Sequence, residues 1–426
     1  MVGSCCGLSR TLRLSMVTLS YLFGALPLLV FPSTALAIDT RFTQTIDMLG
    51  AAYLDAEARI LFCGKSGVLG TLSYREGDTA VARLIQTGVK EDFLTLEAVA
   101  GGRALIGSSQ GNIYSYQDGQ VLRLAGISEY SEPVLDIHDG GDIVWAGGGR
   151  GMLAYSSDKG SSWNSVSFDS VRHPPLNLPS RKPGVWYLGV SNIDPESVIF
   201  QAEVNGRPAV VDEDFEIDID EGRLIINNPL DEGGVASIEF NFKPGPPYRG
   251  GDVTWSVVIA EDGVVTIAGE FGLILQSSDG GKNWVSRNGT MTEEEPKQLY
   301  WLSGAARGEN IILGGAAGKV SSSKDGGLTW MGLELNSREG VFGAEFIDAD
   351  TAMVAGAVGL LGLYRDGSWE MADRTALELR SWMSSLVNVG ADKWMVLGGR
   401  STVLTYVEQQ WKKISVEVPL EAEVER

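Results

Sequence analysis

Short apolar runs of four or five residues recur along the chain, each closed by a glycine hinge and followed by a second short run and a polar turn. Ile60-Leu61-Phe62-Cys63, Asn310-Ile311-Ile312-Leu313 and Thr351-Ala352-Met353-Val354 are of this kind, and Lys319-Val320-Ser321-Ser322 reads as the strand after a hinge. Runs of this length and β-rich content, broken by glycine, predict strands joined as hairpins. The second hinge glycine falls at Gly67, Gly111, Gly151, Gly272, Gly318 and Gly359, with Thr402 in that place after Gly398-Gly399. The intervals are 44, 40, 121, 46, 41 and 43 residues, so five are one repeat long and the third carries about 80 extra residues. Seven copies with four short strands each predict an all-β chain, a seven-bladed β-propeller.

Seven residues beyond the second glycine stands an acid, at Asp118, Asp158, Asp279, Asp325 and Asp366, with looser equivalents at Glu76 and Glu408. Three copies extend to the Asp-box pattern S-x-D-x-G-x-x-W, beginning at Ser156, Ser277 and Ser323. A carboxylate in a turn accepts backbone N–H groups two residues on, and glycine supplies the positive φ the turn requires. The tryptophan offers a broad apolar face to pack beneath the turn. Asp158, Trp163, Asp279, Trp284, Asp325 and Trp330 are therefore expected to be structural Asp-box residues, with no catalytic row among them.

Between copies three and four the rhythm stops, over residues 169–251. Proline-rich stretches bound this segment, His173-Pro174-Pro175 to Lys182-Pro183 and Lys243-Pro244-Gly245-Pro246-Pro247, and read as stiff linkers. Between them Gly184–Val190, Val198–Val204, Leu224–Ile226 and Ala236–Phe242 read as strands, and Val204-Asn205-Gly206-Arg207 as a type I′ hairpin. The expectation is a small β-sandwich-like module projecting from the rim. Its acids, Asp212, Glu213, Asp214, Glu216, Asp218, Asp220 and Glu221, alternate with Phe215, Ile217 and Ile219, the period of a half-buried strand with a solvated face. A calcium loop is the competing reading, but the glycine and glutamate spacing of an EF-hand is missing.

The first 37 residues read as a signal peptide. Arg10 and Arg13 precede an apolar run from Met16 to Phe31, and Ala35-Leu36-Ala37 is a cleavage pattern, giving an exported protein beginning near Ile38. The expected organisation is a leader at 1–37, propeller strands at 38–168, the inserted module at 169–251, propeller strands at 252–420 and an acidic tail at 421–426. The net charge of −21 becomes two units more negative once the leader is gone. Such a balance opposes binding to nucleic acid or to anionic membrane surfaces, both of which call for basic clusters. After cleavage no direct membrane insertion is expected, and Cys63 is left alone as a small buried hydrophobe.

Catalytic material is scarce. The two histidines are His138, in a strand of copy three and read as structural, and His173, in the first proline stretch and read as solvated. No phosphate loop, dinucleotide fingerprint or nucleophile elbow is present, and no metal, cofactor or catalytic residue is assigned. Asp-boxes also occur in sialidases, which use a tyrosine nucleophile. As a family these are six-bladed and hold the substrate carboxylate with an arginine triad that opens in an Arg-Ile-Pro-type motif. Here the nearest match is Arg59-Ile60-Leu61. Two-carboxylate glycosidase chemistry stays open, because acids are plentiful.

The phrases Ala268-Gly269-Glu270-Phe271-Gly272-Leu273-Ile274-Leu275-Gln276-Ser277-Ser278-Asp279-Gly280-Gly281 and Leu313-Gly314-Gly315-Ala316-Ala317-Gly318-Lys319-Val320 resemble the photosystem II stability/assembly-factor-like family. The resemblance covers both propeller segments and omits the insert. It implies an exported, seven-bladed, non-enzymatic protein. Photosynthetic members assist assembly of a membrane complex in the thylakoid lumen and dock through an arginine patch; the acidic balance and scattered arginines here depart from that. Relatives in non-photosynthetic bacteria suggest a periplasmic binding or assembly factor for an envelope membrane complex or transporter. The alternatives are a sialidase-like, glycan-active Asp-box enzyme and a secreted adhesin-like binder that uses the insert.

Overall fold

Each copy folds into four strands that are consecutive in sequence and antiparallel. In copy one these are Gly50–Leu54, Arg59–Cys63, Leu69–Tyr74 and Thr79–Ile85. The later copies open with Phe93–Val99, Val134–Asp139, Trp255–Glu261, Trp301–Arg307, Val341–Phe346 and Met383–Asn388. The computed structural model describes residues 45–54, 59–74, 79–245, 253–288, 299–390 and 392–419. The expected leader, Ile38, Glu76, the proline stretch beyond Gly245 and the acidic tail lie outside these described residues. Among the described residues there is no α-helix, only strands and single 3₁₀ turns.

The hinge explains why the chain reverses so tightly. In Ser66-Gly67, Phe271-Gly272, Ala317-Gly318 and Val358-Gly359 two successive residues are left-handed. In copy seven the left-handed pair is Arg400-Ser401, so Ser401, and not Thr402, holds the place of the second glycine. Its N–H donates to Ile46 O at 2.7 Å, as that of Gly359 does to Ser381 O at 2.6 Å. The hinges of copies six and seven are thus tied to the segment leading into the next copy, the last of them to the first copy.

First strands of successive copies pack side by side in chain order, and Met383–Asn388 packs back against Gly50–Leu54. Apolar side chains alternate between the two faces of each meander, so most of the core lies in layers between neighbouring sheets. The outermost strands of copies one and seven, Thr79–Ile85 and Gln410–Glu417, pair in parallel from Ser415↔Thr79 to Glu417↔Val81. Among the described residues no strand is exchanged between these two sheets.

Rather than hanging from a rim, the inserted segment continues the sheet of copy four outward. Val171–Asn177 pairs in parallel with Val285–Ser286, the outermost strand of that copy, and antiparallel with Ser237–Phe242, which then pairs with Ile199–Gln201. A second sheet is formed by Gly184–Tyr187, Arg223–Ile226 and Phe215–Asp218. Asn205 and Gly206 are both left-handed between paired Val204 and Arg207, the expected type I′ turn. Pro174 and Pro175 are not a linker. They sit where the register shifts between His173 and Leu176, a bulge where a missing N–H is tolerated. His173, expected in solvent, is fully buried against Phe240 and Phe242.

Candidate functional site

The three Asp-box turns have one geometry. In copy four, Asp279 Oδ1 accepts from Ser277 Oγ at 2.8 Å and from the N–H of Asn283 at 2.9 Å, while Oδ2 accepts from Asn283 Nδ2 at 2.7 Å. Asp158 is held in the same way by Ser156 and Ser162, and Asp325 by Ser323 and Thr329. Each tryptophan indole N–H closes the loop on a glycine carbonyl, Trp163 on Gly160, Trp284 on Gly281 and Trp330 on Gly327, at 3.0–3.1 Å. These hydrogen bonds to the charged form hold Asp158, Asp279 and Asp325 down at about 2. The acids therefore stay ionised, with both oxygens engaged, at any pH where a general acid would need its proton.

Sequence reading missed the polar residue just before each tryptophan, Ser162, Asn283 or Thr329, which binds the second carboxylate oxygen. It also grouped Asp118 and Asp366 with these turns. They sit instead in two-residue hairpin loops, Asp118-Gly119 and Asp366-Gly367, with both residues left-handed. Aspartate is used there for its tolerance of that backbone region.

Around the axis, side chains from one copy satisfy backbone groups of the next. Asp136 Oδ2 accepts from the N–H of Val258 at 2.7 Å, and Glu97 Oε1 from that of Asp139 at 3.0 Å. Ser256, Ser303 and Ser384 donate to Trp301 O, Val341 O and Leu49 O. His138 Nε2 donates to Ala260 O, consistent with the structural role read for it. Burial raises Glu97 to about 8, helped by the charges of Asp136, Asp139 and Glu345, and raises Asp136 and Glu345 each to about 7. Among the described residues no group of three or more His, Cys, Asp or Glu side chains could hold a metal ion.

Four of the insert's acids, Glu213, Asp214, Asp218 and Glu221, are tied to arginines. Asp214 is fully buried instead of lying on a solvated face, because Arg207 Nη1 and the N–H of Val210 donate to it at 2.6 and 2.8 Å. Asp218 accepts from Arg223 at 2.6 Å. Cys63 is buried, and its thiol is pushed up to about 12 by that burial, which leaves it unreactive.

One place is built differently. A cleft of about 540 Å³ opens between the sheets of copies four and five, bounded at one end by the turns of Asp279 and Asp325. Ile259, Val264, Val285 and Ile311 supply apolar wall, Glu261, Asp262 and Glu309 add carboxylates to the lining, and Leu328 stands exposed at its edge. Arg287, half-buried, enters from the outermost strand of copy four and donates from Nε to Gln276 Oε1 at 2.7 Å. Gln276 is itself fixed, donating to Thr266 Oγ1 at 3.0 Å and to Gly326 O at 2.7 Å. A side chain on Gly327, whose φ is +84°, would collide with that amide, so the glycine lets the two sheets approach here. Among the described residues Arg287 makes no ion pair, and the acid whose field reaches it, Asp325, is saturated by its own turn. Burial lowers Arg287 from its ordinary value, and the charge of Asp325 offsets that only in part. No spacing rule marks Arg287 in the sequence, because its surroundings come from a neighbouring copy.

No known family profile matches the chain, and no curated protein matches it. Solved structures do. The chain superposes on one described as "YCF48 bound to D1 peptide" with a TM-score of 0.51 and 14% identity, over 85% of this chain and 94% of that one. It superposes on "YCF48 from Cyanidioschyzon merolae" with a TM-score of 0.51 and 11% identity, over 88% and 96%. At these identities the likeness shows the fold alone, an all-β propeller of the YCF48 kind.

Proposed function

We propose that the chain is an exported, seven-bladed, non-catalytic propeller that binds an extended protein segment as an assembly or binding factor for an envelope membrane complex. The cleft beside Arg287 carries this reading. A half-buried guanidinium that makes no ion pair, beside apolar wall, suits an apolar segment whose carboxylate reaches Arg287, and Glu261, Asp262 and Glu309 on the same lining oppose a carboxylate anywhere else in the cleft. The similar structure described with a D1 peptide supports a segment as the occupant. Two further observations support the seven-blade count: the closed order of first strands, and the hinge of copy seven bonding ahead of copy one. Export rests on the leader pattern in the sequence.

The test is a fluorescence titration with N-acetylated six-residue peptides of leucine and alanine, carrying a free C-terminal carboxylate or an amide. The carboxylate form should bind more tightly, and Arg287→Gln should weaken it roughly tenfold or more, as loss of a charged hydrogen bond implies. Equal binding of the two forms would reject the cleft as the site. Crosslinking from native membranes then identifies the partner.

Binding through the insert is the second reading, favoured by Val185, Ile199, Val210, Val211 and Val235, large apolar side chains exposed on that module. Retention of the partner by a variant with 169–251 replaced by a short linker would exclude it. The enzyme alternative is opposed by the engaged Asp-box acids, and turnover on sialosides would overturn that judgement.

A further inference from the structure

The inserted module meets the ring through a strand that carries a buried histidine. Val171–Asn177 forms the seam, with Arg172 opposite Val285 on the ring side and His173 opposite Phe240 on the module side. The His173 ring lies 4.9 Å from that of Phe240 and 6.3 Å from that of Phe242, with no exposure to solvent. Its Nδ1 lies 2.9 Å from Pro174 O. A carbonyl only accepts, so Nδ1 carries the proton and Nε2 presents a bare lone pair, which has no hydrogen-bond partner. A neutral imidazole is tolerated there. An imidazolium would put a charge into an apolar layer that no carboxylate compensates.

We propose that the pairing of Val171–Asn177 with Ser237–Phe242, the strand pair that roots the inserted module beside the fourth sheet, is proton-sensitive, with His173 as the sensor. The charged groups on the surrounding elements are engaged elsewhere. Arg172 and Glu239 bond each other at 2.6 Å on the exposed side of the same strand pair, Arg287 is held by Gln276 in the cleft, and Asp194 accepts from the N–H of Glu196. Burial outweighs the Pro174 carbonyl and the backbone of Asn288 on the ring side, both of which favour the charged ring, so the histidine sits below its ordinary value. The sign follows directly. A depressed value in the paired strands means that pairing is complete above about pH 6.5 and weakens as pH falls through that value, by about tenfold per unit until the buried ring itself takes a proton. This device is independent of what the Arg287 cleft binds.

With two histidines in the chain, the imidazole Cε1–H resonances of the full-length protein can be followed by NMR alongside amide hydrogen exchange. Between pH 7.5 and 5, and after correction for intrinsic rates, protection should fall in Val171–Asn177 and Ser237–Phe242 while Trp255–Glu261 keeps its own. The fall should coincide with protonation of His173. In His173→Phe, which keeps an aromatic ring between Phe240 and Phe242, protection at the seam should not change over this range. Titration of wild-type His173 near 6.5 with the seam still protected would overturn the proposal. So would an equal loss of protection in the phenylalanine variant. If that variant fails to fold, the wild-type coincidence of titration and exchange decides alone.

Discussion

The three Asp-box tryptophans are equivalent in sequence, but the structure makes one of them energetically distinct. Trp284 is 4% exposed, whereas Trp163 and Trp330 are half-buried. The difference comes from the insert's neck. The ring of Phe168 sits 5.4 Å from Trp284 and also 5.4 Å from Trp255, and Trp145 of copy three meets Trp284 edge-on at 6.4 Å. Burying a tryptophan removes up to about 250 Å² from water, worth roughly 5–6 kcal/mol at 25 cal/mol per Å², an upper bound. Measured truncations of buried aromatics run about 3–5 kcal/mol, so Trp284→Ala should cost that much. Trp330→Ala, with about half the burial, should cost roughly 2 kcal/mol. Urea unfolding followed by far-UV circular dichroism measures the difference, provided the slope m is unchanged. In a Phe168→Ala background the excess at Trp284 should shrink, a double-mutant cycle between the two rings. Equal costs for the two tryptophans, or an excess that survives Phe168→Ala, would refute the reasoning.

Asp279→Ala should lower the melting temperature, because four backbone or side-chain donors lose their acceptor, and it should leave peptide binding at the cleft within a few-fold. Thermal melts on the acid side should show stability lost as pH falls from about 4 toward 2, since the Asp-box acids are held below their unfolded values. Glu97, Asp136 and Glu345 act in the opposite sense: raised to about 7–8, they make the folded form hold extra protons, so stability should decline as pH rises from about 4.5 through 8. Asp136→Asn keeps an oxygen for the Val258 N–H and should flatten that decline, which melts at pH 5 and pH 8 would show. Val358→Asn should raise stability by about 1 kcal/mol, because a β-branched residue at φ +51° is strained and this one is 59% exposed; no gain in urea midpoint would count against hinge strain.

Local chemistry was legible and partnerships between copies were not. Hinges, Asp-boxes and the Asn205-Gly206 turn act within a few residues, so spacing alone locates them. Reading Thr402 in place of Ser401 came from following glycine spacing where the chain uses a non-glycine left-handed pair. Pro174-Pro175 looked like a linker because proline ordinarily excludes itself from sheets, and only the bulge beside Phe240 lets it in. Arg287 was invisible for a different reason: its importance lies in Gln276, Gly326 and Asp325, and the last two belong to the next copy.

The seam between the first and last sheets has a consequence for how the chain can be cut. Among the described residues the four strands of each copy come from one stretch of sequence, with the insert's strands added only at the outer edge of copy four. The parallel contact of Thr79–Ile85 with Gln410–Glu417 and the bond from Ser401 to Ile46 join two finished sheets edge to edge. Each meander can therefore form from local contacts, which favours rapid formation, and the ring can shut last. A circular permutant that links residue 419 to residue 45 and opens between copies five and six would keep every sheet whole and only move the break. The protein's topology is in that sense indifferent to its own beginning.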